Sequence, residues 1–225
     1  MRGNPSSFEA SASSGPVSAL SLRPDDAWAG LVFAHGAGAG MHHPFMAALA
    51  DCLAARGIAT FRYQFPYMEA GSKRPDRAPV LMKTVRNAVA AAAALWGGLP
   101  LLAGGKSMGG RMTSNACAAE RLPRVRGLVF FGFPLHPAGR PSTDRADHLS
   151  AVRVPMLFLQ GTRDALAGLE LLIPACAALG ETARLHVIEG ADHGFHVLKR
   201  SGRTDTAVLD ELADVTRDWA EGLVG

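Results

Sequence analysis

The chain has 225 residues, of which 48% are hydrophobic and 19% charged; that balance can bury a sizeable core and excludes a disordered chain. The net charge of +3 is spread over scattered arginines, without the concentrated basic face of a nucleic-acid binder. No apolar run reaches the roughly 18 residues that cross a bilayer, and the start, MRGNPSSFEASASSG, lacks the apolar centre of a secretory leader.

Residues 1–15 are rich in Ser, Gly and Pro and read as a flexible N-terminal tail. Val17–Leu22 reads as a short first strand. The next segments alternate in kind: a strand at Gly30–Ala34, a helix over 44–56 stopping at Gly57, a strand at Ile58–Tyr63, and an Ala-rich helix over 79–97. A strand at Leu99–Ala103 then leads into a helix over 108–120. Strands follow at Arg126–Phe131 and Val154–Leu159, a helix over 167–179, a strand at Ala183–Ile188 and a last amphipathic helix over 205–223. Several strands are continuous apolar runs, the mark of strands covered on both faces. The alternation predicts an α/β fold with a doubly wound, mostly parallel sheet and helices on both faces. Ligands of such sheets bind beyond the carboxyl ends of the strands, so the residues after each strand carry the chemistry. Cys52, Cys117 and Cys176 are odd in number, lack CxxC spacing and sit in apolar stretches. They read as buried reduced thiols, which points to the cytoplasm.

The stretch AGGKSMGGR, residues 103–111, crowds four glycines around Ser107. Gly105-Lys106-Ser107-Met108-Gly109 is G-x-S-x-G between a strand and a helix, the setting of a nucleophile elbow. A serine held on so sharp a turn needs residues without a Cβ two places before and after it, which Gly105 and Gly109 supply. The helix start adds free N–H groups, and the Met108 N–H suits an oxyanion. A phosphate loop is the rival, but GxxxxGK fails because position 100 is Pro and position 101 Leu. A plain glycine turn with a solvent-facing serine is the other.

The partners decide between these. An activated serine needs a base oriented by an acid, in the chain order Ser…Asp/Glu…His. Asp164 follows the Val154–Leu159 strand, although an aspartate there could also cap the next helix. His193 follows Ala183–Ile188 with small neighbours that leave its ring room. Asp192 is a rival acid better suited to a turn, and His196 suits a packing or capping turn. After Gly30–Ala34 comes His35-Gly36-Ala37-Gly38-Ala39-Gly40, whose Ala37 N–H, with Gly38 as alternate, is the expected second oxyanion donor. A dinucleotide fingerprint would need glycine where Met41 stands and an acidic residue after Phe61-Arg62-Tyr63-Gln64. The pair His42-His43 and the spacing of His193 and His196 lack the company of a metal motif, so no metal and no cofactor is expected.

Taken together, HGAGAGMHHPFM, FRYQFPY, RPDRAP and GGKSMGGRM resemble the α/β-hydrolase superfamily. More narrowly, they resemble dienelactone-hydrolase-like small hydrolases of the KANSL3/Tex30-related branch. The resemblance covers about residues 17–224 and implies one α/β-hydrolase domain over 16–225. It implies Ser107 as nucleophile, Asp164 as acid, His193 as base, and Ala37 with Met108 as the oxyanion hole. The branch has no defined substrate; a small ester-type molecule (carboxylic ester, thioester or lactone) is expected, with no nucleic-acid or membrane partner and the oligomeric state open. Some relatives belong to larger complexes, so an interaction protein with a dormant site is the alternative. Lys106 stands where many such hydrolases carry an uncharged or acidic residue, and either a surface or a functional role would fit it. Residues 132–153 are too few for a large lid, which implies an open cleft. Its expected walls are the stretch from Phe65 to Pro79 and the loop Pro134–Leu149, with Phe65, Tyr67, Arg74 and Phe133 as candidate substrate contacts.

Overall fold

The computed structural model describes residues 3–224; the ends of the expected tail and domain at Met1, Arg2 and Gly225 lie outside the described residues. The strands are β1 (Asn4–Ser11), β2 (Gly15–Leu22), β3 (Ala29–Ala34), β4 (Ile58–Tyr63), β5 (Leu101–Lys106), β6 (Val125–Phe131), β7 (Met156–Gly161) and β8 (Ala183–Ile188). They form one sheet in the order β1-β2-β4-β3-β5-β6-β7-β8. β1 with β2 and β2 with β4 pair antiparallel at one edge, and β3 to β8 run parallel to one another.

The continuous apolar runs are explained by two cores, one on each face. Val32, Leu128, Phe130, Met156 and Phe158 enter one core. Their chain neighbours Leu31, Phe33, Val129, Phe131, Leu157 and Leu159 enter the other. Because side chains alternate along a strand, a strand buried on both faces must be apolar at every position. The first core is roofed by α3 (Ala78–Trp96), α4 (Met108–Ala119) and α5 (Leu169–Ala178); the second by α1 (Pro44–Ala54) and α6 (Asp205–Val224). Prolines in the first turns of α1 and α3 suit those starts, and Gly57 and Gly97, at φ +72° and +59°, follow their ends.

Several segments differ from the sequence reading. Residues 4–11, read as tail, form β1. It is polar along most of its length, so its own pattern carries little signal. Pairing with β2 and packing of the Phe8 ring 5.9 Å from those of Phe61 and Tyr63 hold it instead. β5 begins later than expected and continues through Gly104, Gly105 and Lys106, which pair with Val129, Phe130 and Phe131 of β6. Four short elements were not expected among the described residues: α2 (Pro66–Glu69) and 3-10 helices over Asp144–Ala151, Gly180–Thr182 and Lys199–Ser201. The three cysteines are free, with Cys117 and Cys176 buried and Cys52 half-buried. Among the described residues no helix is long and apolar enough to cross a membrane.

The strand order reverses at β3, whose neighbours β4 and β5 lie on opposite sides. The crevice beyond the carboxyl ends of β3 and β5 is where such sheets hold ligands. The loop His35–Gly40 and Ser107 both open there.

Candidate active site

The elbow is built by close approach of backbone to backbone. A Cβ on Gly104 would collide with the Val129 carbonyl oxygen, and one on Gly105 with that of Ala34. On Gly109 it would stand 2.6 Å from the carbonyl oxygens of both Ala34 and His35. Gly105 and Gly109 do crowd each other, as expected: a Cβ on Gly105 would lie 2.9 Å from the Gly109 carbonyl carbon. The tighter limit, however, is the end of β3. Ser107 itself has φ +51° and ψ −118°, a conformation that L-residues adopt only when their surroundings impose it. Its N–H donates to the Phe131 carbonyl at 3.2 Å, and its own carbonyl accepts from the Arg111 N–H at 3.1 Å.

Ser107, Asp164 and His193, 29 and 86 residues from their partners along the chain, meet at this turn. Ser107 Oγ lies 2.8 Å from His193 Nε2, and His193 Nδ1 lies 2.7 Å from Asp164 Oδ2. The Asp164 side chain is fully buried, while the His193 ring keeps 26% of its surface exposed. Gln160 Nε2 donates to the same Asp164 oxygen at 2.5 Å, and the Leu166 N–H donates to the other at 2.8 Å. The carboxylate is thereby satisfied on both sides and aimed at the ring. Asp192 takes the turn role: its Oδ1 accepts from the N–H groups of Gly194 and His196 at 2.8 and 3.0 Å. His196 lies in the open against Asp205, at 2.8 Å, which raises its pKa.

Ala37 and Met108 line one cavity with Ser107. Neither of their N–H groups reaches an acceptor among the described residues, whereas Gly38 N–H donates to the Tyr67 hydroxyl at 3.2 Å. Of the two expected donors, the Ala37 N–H is the one left free among the described residues. The loop is braced from behind by His35, which is fully buried. Its Nε2 accepts from Phe65 N–H at 3.1 Å, so Nδ1 carries the proton and donates to the Gly36 carbonyl at 2.7 Å. Burial pulls its pKa down to about 4, which keeps the ring neutral.

Lys106 is not a surface residue. Its Nζ donates to the His193 carbonyl at 2.5 Å and stands 5.4 and 5.9 Å from the ring centres of Phe195 and Phe45. These two rings stack 5.5 Å apart. Burial lowers the ammonium pKa to about 8, against the opposing pull of Asp164 and Asp192. The lysine thus tethers the loop that carries His193, a role its position before the serine did not reveal.

Ser107 stands between two cavities. One, about 430 Å3, is walled by Asp76, Met108, Arg111, Met112, Pro134 and Arg145 among others. The other, about 370 Å3, is walled by His43, Phe45, Met46, Lys106 and His193 among others. The two expected loops do line the cleft, but through Pro75, Asp76 and Pro134 rather than the aromatic residues. Phe65 and Phe133 are fully buried. Phe65 packs on His35 at 5.0 Å, and Phe133 joins Phe130 and Phe158 at 5.3 and 5.7 Å. Tyr67 is also buried, its hydroxyl turned to the loop backbone, and Arg74 is exposed outside both walls. Aromatic side chains after strands were drawn under the loops by the core, which left the wall to prolines, methionines and two arginines.

A family model described as an alpha/beta hydrolase domain matches residues 27–221. The chain belongs to this family. Solved structures of similar fold include a dienelactone hydrolase from Anabaena variabilis, with TM-score 0.78 and 19% identity over 99% of each chain. An α/β serine hydrolase without a lid from Xanthomonas campestris has TM-score 0.75 and 19% identity, covering 97% of this chain and 95% of its own. The esterase domain of a Rhodothermus marinus protein has TM-score 0.76 and 18% identity over the full length of both. At that level of identity the likeness is one of fold. In this alpha/beta hydrolase Ser107, Asp164 and His193 follow β5, β7 and β8, all beyond the carboxyl ends of the parallel strands.

Proposed function

We propose that this alpha/beta hydrolase is a serine hydrolase that cleaves a small ester-type substrate, a carboxylic ester, thioester or lactone, through an acyl-enzyme. The observation that carries the reading is the unbroken run of hydrogen bonds from the buried Asp164 through His193 to a Ser107 held at positive φ over the cleft. A strained serine backbone serves no purpose in a scaffold. Ser107 Oγ attacks the carbonyl carbon as His193 Nε2 takes its proton; Asp164 holds the imidazolium that forms. The oxyanion is received by the N–H groups of Ala37 and Met108. His193 gives the proton to the leaving oxygen or sulfur as its bond to the carbonyl carbon breaks. Water, deprotonated by the same imidazole, then releases the acid. We place the chain within the dienelactone-hydrolase-like hydrolases, in the KANSL3/Tex30-related branch that its motifs resemble, a placement that this chemistry and an open cleft support.

A fluorophosphonate probe with mass spectrometry tests the nucleophile. An adduct on Ser107, abolished in Ser107→Ala, is the expected result. Folded protein without an adduct would favour a dormant site. With an ester that turns over, Asp164→Asn should lower kcat by on the order of 10^4-fold, because the imidazole loses its preferred tautomer.

A further inference from the structure

Arg111 and Arg145 face the same cavity as Ser107, and neither forms an ion pair among the described residues. Arg111 sits one turn into α4, four residues after the nucleophile, with its Nε buried and without an acceptor among the described residues. Arg145 comes from the 3-10 helix Asp144–Ala151 and is half-buried. Two guanidinium groups held together without a counter-charge are unfavourable until an anion joins them. A buried donor without a partner carries a desolvation penalty that an acceptor would remove.

The other charged groups around them do not fill this role. Asp76 lines the same wall, its Oδ2 accepting from the Tyr67 N–H at 2.9 Å, and Asp147 is exposed on the 3-10 helix; neither forms an ion pair with Arg111 or Arg145 among the described residues. His148, whose Nε2 lies 2.7 Å from Ser114 Oγ, has its pKa lowered by burial first and by Arg111 second. Burial and the nearby Arg145 likewise lower the pKa of Arg111.

The two cavities also have different chemistry and different places in the reaction. His193 lines the cavity of His43, Phe45, Met46 and Lys106 and not the one with the arginines. The leaving group must lie where His193 can protonate it, so it belongs to the His193 side, beside Phe45 and Met46. The acyl part then extends along α4 toward the arginines. We propose that the acyl group of the substrate carries a terminal carboxylate, received by Arg111 with Arg145, so that the enzyme cleaves monoesters or thioesters of dicarboxylic acids. This rests on the acyl-transfer reading of Ser107. The planar fork of a guanidinium matches a carboxylate, which supports that choice of anion.

The test compares p-nitrophenyl hemiglutarate with p-nitrophenyl pentanoate, of the same chain length but uncharged. In the unaltered enzyme kcat/KM should favour the hemiglutarate by about tenfold or more. Arg111→Gln should reduce that ratio at least tenfold and Arg145→Gln by a smaller factor, while Arg111→Lys retains part of it. Reading a ratio cancels any general loss of folded enzyme. A ratio near one in the unaltered enzyme, or one that neither glutamine variant changes, would overturn the proposal. If neither ester turns over and the fluorophosphonate finds no nucleophile, the acyl-transfer reading has failed. Calorimetry with glutarate then judges the arginines alone: binding that Arg111→Gln abolishes supports the anion site, and no binding to the unaltered protein ends it.

Discussion

The ammonium of Lys106 donates to the His193 carbonyl beside the stacked rings of Phe45 and Phe195, and burial lowers its pKa to about 8. In the open chain a lysine titrates near 10.4, roughly its reference value. Between those two values the unfolded chain holds more protons than the fold, so stability rises as pH rises through that window. Below it, the fold carries the full penalty of a buried charge. Lys106→Met lacks this contribution. Urea denaturation should therefore show the unaltered protein gaining about 2–3 kcal/mol on the variant between pH 7 and pH 10. An identical pH response in both would place the lysine in water. The same residue shows the limit of sequence reading. Ser107, Asp164 and His193 were legible because each follows a strand end in the expected chain order. The roles of Lys106, Arg111 and Arg145 depend on what their long side chains meet, and the surrounding motif does not encode that.

At the scale of elements, the glycines of β5 and the strand β1 show how pairing overrides local pattern. A methyl group on Gly104 would be driven into the Val129 carbonyl, whereas one on Gly98 would meet nothing within 4 Å. Gly104→Ala must push β5 away from β6 in the middle of the sheet. It should cost at least about 3 kcal/mol or leave the protein insoluble, while Gly98→Ala stays within about 0.5 kcal/mol of the unaltered protein. Equal unfolding midpoints for the two variants would contradict the strand spacing. β1 is the opposite case, an edge strand with little signal of its own. Phe8→Ala should lower the unfolding free energy by about 1–2 kcal/mol, because the ring is half-buried against Phe61 and Tyr63. A neutral result would mean that residues 4–11 behave as the loose tail that their composition suggests. Element ends proved less legible than element kinds. β4 and β8 match the expected bounds, since each is a compact β-prone run between breakers, but β5 runs through glycines that only its neighbours could make into strand.

The molecule as a whole needs contacts that the chain order does not announce. The fold class was legible because strands covered on both faces must be apolar throughout, and the site converges because parallel strands share one carboxyl edge. How the two halves of the chain are joined was not legible. Arg56, just past α1, donates from Nε and Nη2 to the two carboxylate oxygens of Asp214 in α6, both at 2.8 Å. Its Nη1 donates to the Cys52 carbonyl at 2.9 Å, and Asp210 adds an ion pair at 3.3 Å. The pair joins residues 158 apart over the face of the second core. The Arg56 side chain is only 14% exposed and Asp214 44% exposed, so the bidentate geometry acts partly sheltered from solvent. The hydrogen bond from Arg56 is the largest influence holding the Asp214 carboxyl below its ordinary pKa. A carboxylate with a lowered folded pKa stabilises the fold above its unfolded pKa, and that contribution is lost as pH falls through the folded value. Asp214→Asn should therefore lower the unfolding free energy at pH 7 by about 1 kcal/mol, a figure set by a partly exposed pair. The deficit should shrink as the pH is lowered from 5 toward 3, because the unaltered protein loses what the variant never had. Urea is the denaturant for this comparison, since a salt such as guanidinium chloride would screen the pair. A deficit that stays constant across that range would mean that the asparagine acts through packing on α6, and the charge between the two halves would have no part in holding them together.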